Sequence, residues 1–150
     1  MKLQADLREF VGLLLSRKVD FVIVGAHAVA FHGHPRATQD MDLLVRPSIE
    51  NGQRIVEALK DFGFGDLKLT ADSFTAPDRM IQLGRPPNRI DLLTGIFGLS
   101  FDEAWGSRVP ARLDGLDIFV IGREALIKNK RATGRTQDLA DVEKLERRSS

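Results

Sequence analysis

Asp40-Met41-Asp42-Leu43-Leu44 sets two carboxylates two residues apart inside an apolar run. In a strand alternate side chains share a face, so Asp40 and Asp42 project the same way, about 6 to 7 Å apart at the backbone, and Met41 and Leu43 point to the other side. Such a pair repels itself; it is tolerable where both acids reach water and useful where a divalent cation lies between them. A third acid, Asp91, is embedded in Arg89-Ile90-Asp91-Leu92-Leu93, where an acid needs a partner or a function. Upstream, Val24-Gly25-Ala26 forms a tight turn between a β-branched run and a stretch of small residues, offering backbone N–H groups to a phosphate. Asp40, Asp42 and Asp91 would then hold two magnesium ions over that phosphate.

Other side chains carry two readings each. Arg36 lies between the turn and the acids and either meets phosphate or is an ordinary loop arginine. Thr38 shares the face of Asp40 and Asp42, so its hydroxyl either touches phosphate or caps the strand. His27, His32 and His34 are all the histidines of the chain, but a zinc site built on them would need acids better placed for magnesium. In a helix starting near Glu124, Leu126 and Ile127 mark the buried side; at about 100° per residue Lys130 returns to within roughly 40° of Leu126, and Lys128 lies about 160° away. Lys128 is expected to face solvent. Lys130 snorkels past the core, reaches an anion at the sheet edge, or pairs internally with Asp138 or Asp141.

The elements that must position these groups follow from patterning. Apolar residues at 3, 7, 10, 11, 14 and 15 predict an amphipathic helix, Phe21-Val22-Ile23-Val24 a strand buried on both faces, and Ala26 to Phe31 a short helix closed by Gly33 and Pro35. Thr38 to Val45 reads as a strand, and Ser48 as the N-cap of a helix over Ile49 to Phe62 with a stripe of Ile49, Gly52, Val56 and Leu59. Short strands are expected at Leu67 to Leu69, Met80 to Leu83, Arg89 to Leu93 and Asp117 to Ile121. Ser100 and Glu103 have capping-box spacing before a short helix through Trp105, a peripheral core residue. Helices over Glu124 to Thr133, stopped by Gly134, and over Gln137 to Glu146 complete the chain, whose Arg147 to Ser150 end is expected to fray. Several intervals between strands are too short for helical crossovers, which predicts one α/β or α+β domain with a mixed central sheet flanked by helices.

Composition narrows the function classes. With 150 residues, 43% of them apolar, the chain can bury a core of its own, and 22 basic against 21 acidic residues leave no bulk field for polyanions, so any basic site is local. The absence of cysteine removes thiol catalysis and cysteine-based zinc sites. No apolar stretch approaches the roughly 20 residues of a membrane span, and Asp6 and Glu9 stand where a signal peptide would be basic and apolar. A cytoplasmic protein with no membrane partner is the expectation.

The order of motifs resembles the DNA polymerase β-like nucleotidyltransferase superfamily, whose signature hG[GS] followed by Dh[DE]h is matched by Val24-Gly25-Ala26 and Asp40-Met41-Asp42-Leu43. The string from Phe21 to Asp40, with Arg89 to Leu93 and Lys130 to Asp141, is similar to its small stand-alone branch related to AbiEii-type toxins and minimal nucleotidyltransferases. The resemblance implies that Asp40 and Asp42 ligate both magnesium ions (or manganese), that Asp91 ligates the acceptor-side metal and helps deprotonate the incoming hydroxyl, and that Gly25, Ala26 and Lys130 bind the triphosphate, with Arg36 and Thr38 as further candidates on the first of their two readings. Ala26 departs from the family's Gly or Ser, which is either a tolerated swap or a mark of weakened catalysis. The implied function is transfer of a nucleoside monophosphate from a nucleoside triphosphate to an acceptor hydroxyl on tRNA, a protein or a small molecule. The alternative is a catalytically weak binding module, such as an antitoxin in a toxin-antitoxin pair. A homodimer or a cognate partner protein is expected to present the acceptor.

Overall fold

The computed structural model describes residues 5–34, 40–64, 68–84 and 89–147. Six helices, α1 (Ala5–Ser16), α2 (Gly25–Phe31), α3 (Ile49–Asp61), α4 (Phe101–Ser107), α5 (Arg123–Thr133) and α6 (Thr136–Arg147), surround a sheet of β1 (Phe21–Val24), β2 (Asp40–Val45), β3 (Met80–Leu83), β4 (Arg89–Leu93), β5 (Val109–Leu113) and β6 (Leu116–Val120). The strand order is β3-β4-β2-β1-β6-β5. β1 runs antiparallel to β2 and parallel to β6, β2 runs parallel to β4, and the edge strands β3 and β5 pair antiparallel with their neighbours. This is the mixed sheet expected from the short intervals: β3–β4 and β5–β6 are antiparallel neighbours joined by connections too short for a helix.

The sheet separates two chemistries. Met41 and Leu43 of β2 and Leu92 of β4 are completely buried on one face, beside Ile90. Leu83 and Ile90 on that face share a cavity with Leu7 and Phe10 of α1, and Phe10 packs against Phe62 at the end of α3 with its ring tilted by 59°, 5.4 Å between ring centroids. Asp40 and Asp42 project from the opposite face, where α5 and α6 pack together. Buried Asn51 fixes the start of β1 to the end of β2: its Nδ2 donates to the carbonyls of Asp20 and Arg46, and its Oδ1 accepts from the Asp20 amide at 2.8 Å. A buried amide satisfied on both sides can sit in the core without penalty.

Local signals set most element ends. Ser48 accepts from the Asn51 amide at the start of α3, Ser100 and Glu103 form the capping box of α4, and Gly134 ends α5 in the left-handed region at φ 73°. Other expectations are corrected. Ile49 is 53% exposed, because the cap places it outside the buried face made by Asn51, Gly52, Ile55, Val56, Ala58 and Leu59. No strand forms at Lys68 and Leu69, where Lys68 takes φ 57°, and Leu67 lies outside the described residues. β5 was hidden by Pro110, which a sheet edge accommodates, and a 3-10 turn over Ala71–Phe74 buries Phe74 without a periodic signature. Leu3, Thr38 and Gln39, expected to begin a helix stripe and a strand, also fall outside the described residues, as do the last three of the chain. Arg147, expected to fray, closes α6 and pairs with Glu143. Trp105 stacks on Phe101 and carries the Arg108 guanidinium 3.9 Å above its ring.

Candidate active site

Strand register builds the site in rows. Val24 pairs with Asp42, Asp42 with Asp91, and Asp91 with Gln82, so one line across four strands brings Asp42 and Asp91 side by side on the same face. One step toward the start of β2, Asp40 pairs with Arg89; one step the other way, Leu44 pairs with Leu93 and Leu93 with Met80. Successive rows are therefore ionic, acidic and apolar. They contribute to a cleft of about 800 Å³ that is also lined by Gly25 and Ala26 of the turn and by Lys130, Thr133 and Arg135 from α5 and the turn after it.

Gly25 is required twice over. It takes φ +69°, and a Cβ there would collide with the carboxylate of Asp42. The turn backbone thus lies directly against the acid row, which a residue with any side chain would push apart.

The acids lean on one cation. Arg89 donates from Nε to Asp91 Oδ1 at 3.1 Å and from Nη2 to Asp91 Oδ2 at 3.0 Å, a two-pronged pair, and Nη2 also lies 3.2 Å from Asp40 Oδ2. Asp91, only 3% exposed, is compensated by that fork. Asp42 is not: burial, then the charge of Asp91, a hydrogen bond shared with Asp91 and the charge of Asp40 push its pKa up to about 6, against a smaller opposing pull from Arg89. In donor chemistry three carboxylates with surplus negative charge suit a hard divalent cation. In position they are not drawn together around one, because Arg89 holds Asp91; among the described residues no three His, Asp or Glu side chains form a ready metal cluster.

Lys130 returns to the buried side of α5 as the helical arithmetic predicts, and there it forms the internal pair weighed against phosphate binding. Its Nζ lies 3.2 Å from Asp138 Oδ1 and 3.2 Å from Asp141 Oδ2, with all three residues buried. Arg135 donates from Nε to Asp138 Oδ2 at 2.7 Å, and Gln137 donates to Asp141 Oδ1 at 3.0 Å. Burial alone would raise the Asp138 pKa, but hydrogen bonds from Arg135 and Lys130 outweigh it and hold the carboxyl below its usual range. Lys128 points outward to Glu103, 2.8 Å away. His32 Nε2 lies 2.8 Å from the Ile121 carbonyl, which engages that ring nitrogen, and burial pushes the His27 pKa below its ordinary value.

No family model and no curated protein matches the chain. Among solved structures it is similar to a candidate nucleotidyltransferase from Thermotoga maritima, with a TM-score of 0.60 and 16% identity over 94% of this chain and 90% of that one. It is also similar to the lincosamide antibiotic adenylyltransferase LnuA, solved with lincomycin bound, with a TM-score of 0.56 and 13% identity over 97% of each chain. The chain has a nucleotidyltransferase fold. At such identities the likeness establishes architecture, and chemistry must be argued from the site.

On this nucleotidyltransferase fold, Asp40, Asp42, Asp91, Gly25, Ala26 and Lys130 all line the one cleft. Arg36 and Thr38 lie outside the described residues. Sequence reasoning missed Arg89, whose place beside Asp91 in an alternating strand was a usable signal, and Arg135, whose guanidinium reaches the cleft from the turn between α5 and α6. It also missed Phe97, a cleft residue in a loop with no periodic pattern to mark it.

Proposed function

We propose that the chain transfers a nucleoside monophosphate from a nucleoside triphosphate to an acceptor hydroxyl, with release of pyrophosphate. The observation that carries the reading is the register that aligns Asp42 with Asp91, beside Asp40, against a turn where only glycine fits. Asp40, Asp42 and Asp91 would hold magnesium, which when bound supplies charge neutralisation at the α-phosphate and the departing pyrophosphate. The rest falls to the chain itself. The Gly25-Ala26 backbone lets phosphate approach without side-chain obstruction, and Arg135 offers an exposed guanidinium to its negative charge. Asp138 fixes the Nε side of Arg135 and thereby its direction. As the acceptor oxygen bonds to the α-phosphorus, the bond to the β-phosphate oxygen breaks, and the hydroxyl proton passes to a carboxylate of the acid row, the role that the resemblance gives Asp91. Kinship with the small AbiEii-related branch is part of this proposal and rests on the order of the motifs. The acceptor is a hydroxyl on tRNA, a protein or a small molecule, presented by a second copy or a cognate partner.

Two observations favour a second reading, a nucleotide- or partner-binding module without turnover: Arg89 already serves as internal counterion to Asp91, and Ala26 offers no hydroxyl at the turn. Incubation with each labelled triphosphate and magnesium separates the two. Pyrophosphate release or label transfer supports the enzyme. Saturable nucleotide binding with neither product supports the module.

A further inference from the structure

The cleft changes character along its length. Leu93 lies two residues beyond Asp91 on the same face of β4, about 6 to 7 Å further along, and pairs with Met80, which is 56% exposed. The chain then turns through Thr94 to Phe97, whose side chain lines the cleft and is 70% exposed, more than any other large hydrophobic residue described. This loop is pinned at each step. Thr94 Oγ1 donates to the Ala76 carbonyl at 2.7 Å and accepts from the Arg79 amide at 2.8 Å. Gly95 packs so tightly on Asp78 that no Cβ fits, Asn129 Nδ2 donates to the Phe97 carbonyl at 2.9 Å, and a Cβ on Gly98, at φ +90°, would lie 2.7 Å from Ala132 Cβ. An aromatic ring left in water on an anchored backbone has a low entropic cost of engaging a flat partner. Beside it α5 contributes Asn129 and Thr133, neutral hydrogen-bonding groups, whereas Arg89 lies at the far end of β4 beside Asp40, and Arg135 is near enough to interact with the charge of Asp42, the carboxylate that abuts Gly25.

We propose that Phe97 is the stacking platform for the nucleobase of the nucleotide bound in this cleft, with Asn129 and Thr133 beside the sugar and base edge. The inference rests on the nucleotidyl-transfer reading and assigns the halves of the cleft: phosphates toward Gly25 and Arg135, base toward Phe97 and Met80. Stacking on an aromatic side chain is worth about 1 to 3 kcal/mol per base, roughly 5- to 150-fold in affinity. The test is calorimetric binding of α,β-methylene-ATP, α,β-methylene-CTP and inorganic tripolyphosphate, each with magnesium, to wild type, Phe97→Ala and Phe97→Trp. Phe97→Ala should weaken both nucleotides by at least about fivefold, the purine more, and leave tripolyphosphate unchanged, while Phe97→Trp retains wild-type affinity. Undiminished nucleotide affinity in Phe97→Ala, as expected if the ring faces an apolar acceptor, or equal weakening of tripolyphosphate, overturns the assignment and leaves the transfer reading standing. A wild type that binds none of the three overturns both.

Discussion

Around Arg89, one guanidinium pairs with Asp40 and Asp91 and leaves Asp42 beside them without a cation of its own among the described residues; around Asp138 and Asp141, two carboxylates are met by Lys130 and Arg135. Both networks face the same cleft, yet burial has opposite outcomes in them. Asp138 is held below the ordinary carboxylate range, and Asp42 is pushed up to about 6. The balanced network fastens α6 to α5 and needs nothing further. The unbalanced one stores repulsion that an added cation would relieve, which is why we propose Asp42 for the chemistry and Lys130 for the scaffold.

Removing the cation of the balanced network should have the largest effect. Lys130→Ala leaves two buried carboxylates with Arg135 on Asp138 and the neutral Gln137 amide on Asp141, and breaking a buried pair from one side costs about 3 to 5 kcal/mol. A melting-temperature drop of about 10 °C or more is expected from thermal unfolding, whereas Lys128→Ala, which loses only an exposed pair with Glu103, should leave it unchanged. Equal shifts in the two variants would erase the distinction between buried and exposed lysine.

Gly25→Ala should come next. A non-glycine residue in the left-handed region costs about 1 to 3 kcal/mol, and the added methyl displaces the Asp42 carboxylate as well. Magnesium-dependent turnover should fall below detection while circular dichroism still reports a folded chain. Wild-type turnover in this variant would show that the turn need not touch the acid row.

Asp42→Asn should move stability the other way. Its folded pKa of about 6 lies above the unfolded value of 3.8, so the folded state pays for an ionised Asp42 above pH 6, and that cost fades as pH falls from 6 toward 3.8. The substitution is therefore expected to stabilise the metal-free chain at pH 7 to 8 by about 1 to 3 kcal/mol, with the gain gone below about pH 4. Urea unfolding across that range measures it; a loss of stability at pH 8 would mean that Arg89 already compensates the whole row.

The two networks were unequally legible in the sequence. Alternation in Asp40-Met41-Asp42 was enough to place those two carboxylates on one face, since a strand has only two, and the apolar setting of Asp91 marked it as an acid in need of a partner without fixing its face. Helical arithmetic likewise put Lys130 inward and Lys128 outward. The partner that Lys130 finds was not fixed by that arithmetic, because an inward lysine beside a phosphate cleft and one beside Asp138 and Asp141 carry the same pattern. The β2–β4 register that joins Asp42 to Asp91 depends on pairing between segments some fifty residues apart, which no local signal specifies, whereas the fork from Arg89 to Asp91 is local, two residues apart on one face of β4. Phe97 was silent for a related reason: a loop residue gains its meaning from what pins it.

The most direct test of the contrast is a calorimetric titration of magnesium into the chain with α,β-methylene-ATP present, comparing wild type with Asp42→Asn. Saturable binding by wild type, weakened at least about tenfold in Asp42→Asn by loss of a charged oxygen ligand, is the predicted result. No magnesium binding by wild type, or undiminished binding by Asp42→Asn, would contradict the assignment of the unbalanced acids as the reactive centre.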